Sequence, residues 1–344
     1  MTGTDRSAAR YDGALAATLS GVLDRIRNRG AALPLTDSDR LDGSTCLVTG
    51  ANRGLGLAIA RELAKRGAGL ILACRSGLDG AVRDVGSLAR RPTDVSGAEL
   101  DLGDLDSVER CVEDLERRGV RARVVILNAG VVPREARKTR DGFDESFQVN
   151  FLADYLFARR LLERGLVASD DSAHLPRLVL VSSESHRSAP PIDLAKLGIF
   201  EPWGMRQAVE QYGYGKLLLQ TFTSELARRT RGVVAVHSLC PGAVRTDIGR
   251  EAPRWVKPAL DLTMRAFFQA PETASLPAVY LACSRAIEGE TDVYLHTTRR
   301  RAVSAAASDP VLGRQVWERA ESLLATRGHS LRAEPPTPSD SKGT

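Results

Sequence analysis

Two hydrophobic patterns alternate along the chain. Apolar runs recur at 46–48, 70–73, 124–127, 178–181 and 233–239, the last interrupted only by His237 and Ser238. Such runs, rich in branched side chains and without polar alternation, predict strands buried on both faces. Between them, apolar positions fall at helical spacing over 55–66, where Leu57, Ala58, Ala60, Leu63 and Ala64 share a side and Gly67 ends the run. The same spacing predicts helices at 108–118, 142–165 and 208–229. Strand and helix in alternation define an α/β chain: a doubly wound parallel sheet with helices on both faces.

The two ends of the chain read differently. Tyr11, Leu15, Leu19, Val22 and Ile26 mark one face of a helix over 8–29, which Gly30 and Pro34 close. This extension, 1–41, packs on the main domain or on a partner subunit; a helix lying on a membrane surface is the second reading. No repeat or linker divides 42–326, which is read as one catalytic domain. The tail, 327–344, carries Pro, Ser and charged residues and is expected to be disordered.

Composition narrows the function. At 43% hydrophobic and 26% charged, the 344-residue chain is not disordered as a whole. No apolar run approaches the ~20 residues that span a bilayer. The net charge is +5, but only six of the 48 cationic residues are Lys, and the Arg are spread among acidic residues. A nucleic-acid binder would gather them in a stripe, so none is expected as a partner. Cys46, Cys74, Cys111, Cys240 and Cys283 are odd in number and widely spaced, which argues against a disulfide framework or a zinc site. The five His show no metal-ligand spacing, so no metal is assigned. With no signal-peptide layout at the N-terminus, the expected setting is reducing and cytoplasmic.

The first strand runs into Thr49-Gly50-Ala51-Asn52-Arg53-Gly54-Leu55-Gly56 and then into a helix. Glycines at Gly50, Gly54 and Gly56 permit a tight turn and a close backbone approach to a pyrophosphate, which the helix N-terminus favours. This strand–turn–helix is the mark of a Rossmann-type dinucleotide site, with Asn52, Arg53 and Leu55 also in the turn. NAD sites usually place a carboxylate at the end of the second strand. This chain has Arg75 there, and Arg53 in the turn. Two guanidiniums suit a 2′-phosphate, so NADP(H) is the expected cofactor.

Tyr212 and Lys216 are four residues apart and share one face of the helix predicted at 208–229. An ammonium beside a phenol favours the phenolate, and is expected to lower a pKa that starts at about 10. Tyr212 would then serve as a proton donor or acceptor near neutral pH. Tyr214 is a competitor, but no Lys follows it by four.

In order and spacing, the glycine turn, Asn128-Ala129-Gly130, Ser182-Ser183, Tyr212-Gly213-Tyr214-Gly215-Lys216 and Pro241-Gly242-Ala243-Val244-Arg245-Thr246 resemble the short-chain dehydrogenase/reductase family over about 44–300. The resemblance implies that Ser183 rather than Ser182 holds the substrate oxygen, and that Lys216 hydrogen-bonds the nicotinamide ribose. It implies that Asn150 helps hold a proton-relay water. It places Asp101 and Leu102 at the adenine, Asn128, Ala129 and Gly130 along the cofactor, and Pro241, Gly242, Val244 and Thr246 near the nicotinamide. Catalytic roles thus fall on Asn150, Ser183, Tyr212 and Lys216. The chain departs from the family in having Leu127 before Asn128, where a second Asn is frequent, and Gly215 before Lys216, where Ser is frequent. Neither departure removes a group that does chemistry.

Insertions at 185–211 (Pro190, Pro191, Leu197, Ile199, Phe200, Trp203, Met205) and 249–270 (Trp255, Leu260, Met264, Phe267, Phe268) supply apolar side chains beside the site. They either line a pocket for a lipophilic substrate or pack on the domain or on a second subunit. Ser182-Ser183-Glu184-Ser185-His186, Ala73-Cys74-Arg75 and Val316-Trp317-Glu318 resemble the branch that holds retinol dehydrogenases and lipid-carbonyl reductases. The resemblance implies a hydrophobic aldehyde, ketone or secondary alcohol as substrate. It also implies a homodimer through the helices at 142–165 and 208–229. Two alternatives stand beside this reading: an NADP(H)-binding regulator without turnover, and a sugar-nucleotide epimerase or dehydratase. The second typically wants a different glycine turn and a larger C-terminal domain.

Overall fold

Each of the apolar runs forms a strand. In the computed structural model, which describes residues 33–169, 174–244 and 269–331, they are β1 (Thr45–Thr49), β2 (Gly69–Cys74), β4 (Ala122–Leu127), β5 (Arg177–Val181) and β6 (Ala235–Cys240). β3 (Val95–Glu99), β7 (Val293–His296) and β8 (Arg299–Arg300) complete one sheet of order β3-β2-β1-β4-β5-β6-β7-β8. All neighbouring pairs are parallel except β7–β8.

The central strands are mostly apolar because each feeds two cores. Leu47, Val125, Leu127, Leu178 and Leu180 point to one face. Cys46, Val48, Val124, Ile126 and Val179 point to the other. The second face is covered by α1 (Gly54–Lys65), α2 (Leu78–Gly86) and α6 (Pro271–Cys283). The first is covered by α3 (Leu105–Arg117), α4 (Ala153–Glu163), α5 (Ala208–Arg229) and α7 (Pro310–Ala325). The order reverses between β1 and β4, which opens a crevice beyond their carboxyl ends, where doubly wound sheets bind ligands. All five cysteines are free and buried among these layers.

The helix predicted over 142–165 is not continuous. It starts with one turn capped by Asp144, widens into a π turn at Gln148–Leu152, and only then becomes α4. A π turn holds one extra residue per turn and often marks a functional site.

Both predicted domain boundaries move outward. Leu41 is fully buried, and the Asp39 carboxylate accepts from the Arg285 backbone N–H at 2.9 Å. Residues 33–41 therefore belong to the domain. At the other end, His329 is buried with Nδ1 3.4 Å from Glu109, and Arg160 donates to the Ser330 carbonyl at 3.0 Å. The helix predicted at 8–29 and the tail from 332 lie outside the described residues.

Among the described residues, the helices expected to carry a dimer contact pack against α7 of the same chain. Trp317 of α7 packs edge-on against Tyr155 of α4 (5.2 Å between centroids) and tilted against Phe222 of α5 (5.9 Å). The guanidiniums of Arg159 and Arg229 each stack at 4.3 Å from its ring. The chain covers this surface with its own C-terminal helix. Among the described residues, no helix is long and apolar enough to cross a membrane.

Candidate active site

The glycine turn is held by its neighbours. Gly50 sits at φ +63° and its N–H donates to the Ala73 carbonyl at 2.8 Å. A Cβ on Gly56 would lie 2.5 Å from the Asn128 amide nitrogen and run into the Gly50 carbonyl, so only hydrogen fits. Asn128 donates its side-chain amide to the Thr49 carbonyl at 2.9 Å. The N–H groups of Asn128 and Ala129 both donate to the buried Thr49 hydroxyl, at 2.9 and 3.0 Å. Thr49 thus locks the end of β4 to the end of β1. Sequence reasoning missed it, although its place as the last residue before Gly50 was the available signal. Asn52 donates to the Ser76 carbonyl at 3.0 Å and ties the turn to the loop after β2.

α1 begins at Gly54 with no side-chain cap and no acidic residue in its first turn. Its N-terminal N–H groups are turned to the crevice end, which suits an anion. Leu55 is half-buried against the core. Arg53 is exposed. Arg75 is also exposed and lies 3.8 Å from the Asp101 carboxylate, which in turn accepts from the Gly103 N–H at 2.9 Å. Leu102 is buried in the core. These features fit a dinucleotide laid along the carboxyl ends of β1, β2 and β4, with its phosphates over the glycine turn.

At the other end of the crevice, Gly130 must also be bare. A Cβ there would stand 2.9 Å from the Asn150 Oδ1 and 3.6 Å from the Lys216 Nζ. Asn150 is fully buried in the π turn. Its Oδ1 accepts from the Val131 N–H and its Nδ2 donates to the Val131 carbonyl, both at 2.9 Å. Lys216, 3% exposed, donates to the Val181 carbonyl at 2.8 Å, and its ammonium lies 5.8 Å from the Tyr212 ring centre. The Ser183 side chain lies against the Tyr212 phenol and favours its ionised form. Ser183 also caps the turn that follows, accepting from the Ser185 N–H at 3.2 Å. Ser182 is buried behind it. Tyr214 instead meets the Asp193 backbone.

Two glycines of α5 allow this convergence. A Cβ on Gly213 would come 2.9 Å from the Ser185 carbonyl, and one on Gly215 would come 3.2 Å from the Asn150 Cβ. Gly215, which departs from the family's usual Ser, lets α5 lie against the π turn. Past β6, Gly242 sits at φ +78° against Thr297, and Val244 forms a bridge with Gln269. Pro241 precedes them at the strand end. Thr246 and the segment 249–268 lie outside the described residues.

The electrostatics differ from expectation in one respect. Burial pushes the Tyr212 phenol up to about 12, with the Cys240 thiol adding to the rise and the Ser183 side chain opposing it. The expected lowering by Lys216 is not met: loss of solvation around the hydroxyl dominates, and the ammonium is turned to the Val181 carbonyl. Burial likewise lowers Lys216, to about 8, against the opposing charge of Asp154. His186 is neutral and oriented: its Nδ1 is 2.6 Å from the Ser183 carbonyl, and its Nε2 accepts from the Ser304 N–H at 3.2 Å. Among the described residues no cluster of ligands could hold a metal ion.

The insertion at 185–211 packs in part on the domain. Leu197 is buried, and the Trp203 indole N–H donates to Asp144 at 2.9 Å. Ile199, Met205 and Val209, together with Val132 on the loop after Gly130, remain exposed.

A glycine turn at the sheet's switch point, with Ser, Tyr and Lys converging at its far end, defines a dinucleotide-dependent oxidoreductase. The sequence pattern of the short chain dehydrogenase family matches residues 44–190. Retinol dehydrogenase 14 of Mus musculus is 35% identical over 308 residues, which cover 84% of this chain and 88% of that protein. Retinol dehydrogenase 13 of Mus musculus is 32% identical, over 85% and 89%. The chain belongs to the short-chain dehydrogenase family and is retinol dehydrogenase-like; the family uses a nicotinamide cofactor. Among solved structures, an uncharacterised protein from Mycobacterium paratuberculosis is 28% identical and superposes with a TM-score of 0.63, covering 87% of this chain and 99% of its own.

Proposed function

We propose that the chain is an NADP(H)-dependent reductase and dehydrogenase that interconverts a lipophilic carbonyl compound and its alcohol, with Tyr212 as the acid/base. The observation that carries this reading is the convergence of Ser183 and Tyr212 beside the buried Lys216, at the mouth of a crevice whose glycines admit a dinucleotide.

When bound, the cofactor gives or takes the hydride at the reacting carbon. The chain's own residues do the rest. Ser183 donates a hydrogen bond to the substrate oxygen and steadies the negative charge that grows there during reduction. Tyr212 then passes its phenolic proton to that oxygen. The Lys216 ammonium offsets the phenolate left behind and, through its remaining N–H groups, holds the nicotinamide ribose. Asn150 fixes the Val131 backbone from both sides and so shapes the wall on which the substrate rests. In the reverse direction, the phenolate accepts the alcohol proton.

The NADP(H) preference rests on Arg75 and Arg53 at the adenosine end and on the absence of a carboxylate at the end of β2. Arg75 carries only a loose contact to Asp101, which a 2′-phosphate would replace. The lipophilic substrate is supported by the exposed apolar residues Val132 on the loop after Gly130 and Met205 and Val209 just before Tyr212, and by relatives whose names state retinol. The chain acts as a cytoplasmic protein on this reading.

The test is NADPH oxidation against a panel of lipophilic aldehydes and ketones, with Tyr212→Phe run in parallel. Consumption by the wild type that falls about a thousandfold or more in the variant, with NADPH binding retained, is the expected result. Turnover that survives in Tyr212→Phe would move the proton donor elsewhere.

A further inference from the structure

Asp154 is a buried acid that the reaction above does not use. It is 0% exposed, and neither carboxylate oxygen has a hydrogen-bond partner. A carboxylate taken out of water without donors costs several kcal/mol, far more than a buried apolar side chain in its place. Such a group calls for a reason.

Its position supplies one. Asp154 follows Asn150 by four residues, one turn along the same face. The α5 backbone at Gly215 presses on Asn150, and Lys216 comes next. Asn150 and the Lys216 ammonium both close on Gly130. Asp154 is therefore the next side chain along α4 beside a lysine that is itself removed from solvent. The charged neighbours on α4 are matched elsewhere: Arg159 pairs with Glu321 at 2.6 Å, and Arg160 pairs with Glu109 of α3 at 2.9 Å and with Glu163. Around Lys216, the other titratable groups are the Cys240 thiol of β6 and the Tyr212 phenol. Among the described residues, Asp154 is the carboxylate that acts on Lys216, and Lys216 is the charge that acts on Asp154.

We propose that Asp154 is a positioning residue for the active-site lysine: its buried carboxylate is the counter-charge that keeps Lys216 an ammonium. This rests on the reading of Lys216 given above. The buried amine on its own would favour the neutral form, which can neither offset a phenolate nor donate three hydrogen bonds. Burial of each partner works against ionisation, raising Asp154 and lowering Lys216, so each charge depends on the other. Removing the carboxylate leaves the lysine without that support.

The chain has only six Lys, so labelling with ¹³Cε-lysine gives a spectrum that can be assigned with Lys216→Arg. The titration of the Lys216 signal is followed in the cofactor-free full chain from about pH 6 to pH 11, a range that brackets both forms of a lysine. It is compared in wild type, Asp154→Asn, Asp154→Leu and Asp154→Glu. Asp154→Leu suits a dry site and guards against an amide that fails to fold. The expected result is a midpoint lower by about one pH unit or more in the Asn and Leu variants, a tenfold or larger change in the ammonium/amine ratio, and a midpoint near wild type in Asp154→Glu. The alkaline limb of the pH profile for NADPH-dependent reduction should move with it. An unchanged Lys216 midpoint in the neutral variants would overturn the assignment of Asp154. A midpoint that moves while the pH–rate profile stays fixed, or activity that persists in Tyr212→Phe, would leave the pair intact and overturn the catalytic reading of the lysine instead.

Discussion

The Ser183 side chain acts on the Tyr212 phenol although one follows a strand and the other lies in the opening turns of a helix. The contact exists because Gly213 lets α5 settle onto the turn that Ser183 caps. Ser183→Ala removes the donor to the developing oxyanion and leaves the glycine turn untouched. We expect kcat to fall by about a hundred- to a thousandfold while the NADPH dissociation constant stays the same. Steady-state kinetics beside a fluorescence titration of NADPH checks both.

The raised Tyr212 phenol and the Lys216 ammonium together set the pH dependence. With its folded value pushed up to about 12, the phenol holds its proton throughout the neutral range in the cofactor-free chain. Reduction consumes that proton, so the phenol does not limit its kcat/KM near neutrality, and the alkaline fall should follow loss of the Lys216 charge. Alcohol oxidation needs the phenolate, so its kcat/KM should climb with pH over the same range. Paired profiles from about pH 6 to pH 10 decide it.

Gly56→Ala tests the cofactor cradle. The added methyl would push into the Gly50 carbonyl and the Asn128 amide, both fixed by hydrogen bonds to β1 and β2. Overpacking of this kind costs about 1–3 kcal/mol. Thermal unfolding should show the loss, and NADPH should cease to raise the melting temperature.

Arg75 is exposed and bears little on stability. Arg75→Ala should weaken NADPH by about tenfold or more, as the loss of a charge-assisted phosphate contact does, and should leave NADH unchanged. Equilibrium titration of both nucleotides reads the difference; equal losses for the two would remove the phosphate contact from the explanation.

Trp317 pins α7 to the sheet's helices. Its indole N–H donates to Glu321 at 3.1 Å, and its ring is shared by Tyr155, Phe222 and two arginines. Trp317→Ala should cost about 3–5 kcal/mol and uncover apolar surface on α4 and α5. Denaturant unfolding gives the first, and sedimentation velocity should show self-association that the wild type lacks through this face.

The legible parts of this fold are those where one requirement dominates. The strands 46–48, 124–127 and 178–181 stand out because both of their faces are buried, and Gly50 and Gly56 because backbone must approach backbone. β3, Val95-Ser96-Gly97-Ala98-Glu99, lies at the sheet's edge with a half-open face and carries too few apolar residues to register. α6 begins at Pro271 and contains Pro277, which in sequence reads as a break. Tyr212 and Lys216 announce themselves by spacing on one helix. The residues around them do not: Thr49, Asp154 and the π turn around Asn150 act through contacts between distant segments. The expected fall in the phenol's pKa failed for the same reason, since spacing shows the neighbouring cation but not the loss of water.

The cover that α7 lays over α4 and α5 changes how the site is assembled. Where two copies must meet to bury such helices, the lining of the crevice depends on concentration. Here α7 supplies that burial from within the same chain. The crevice is then expected to form without a second copy. Diluting the protein should leave its turnover number where it was.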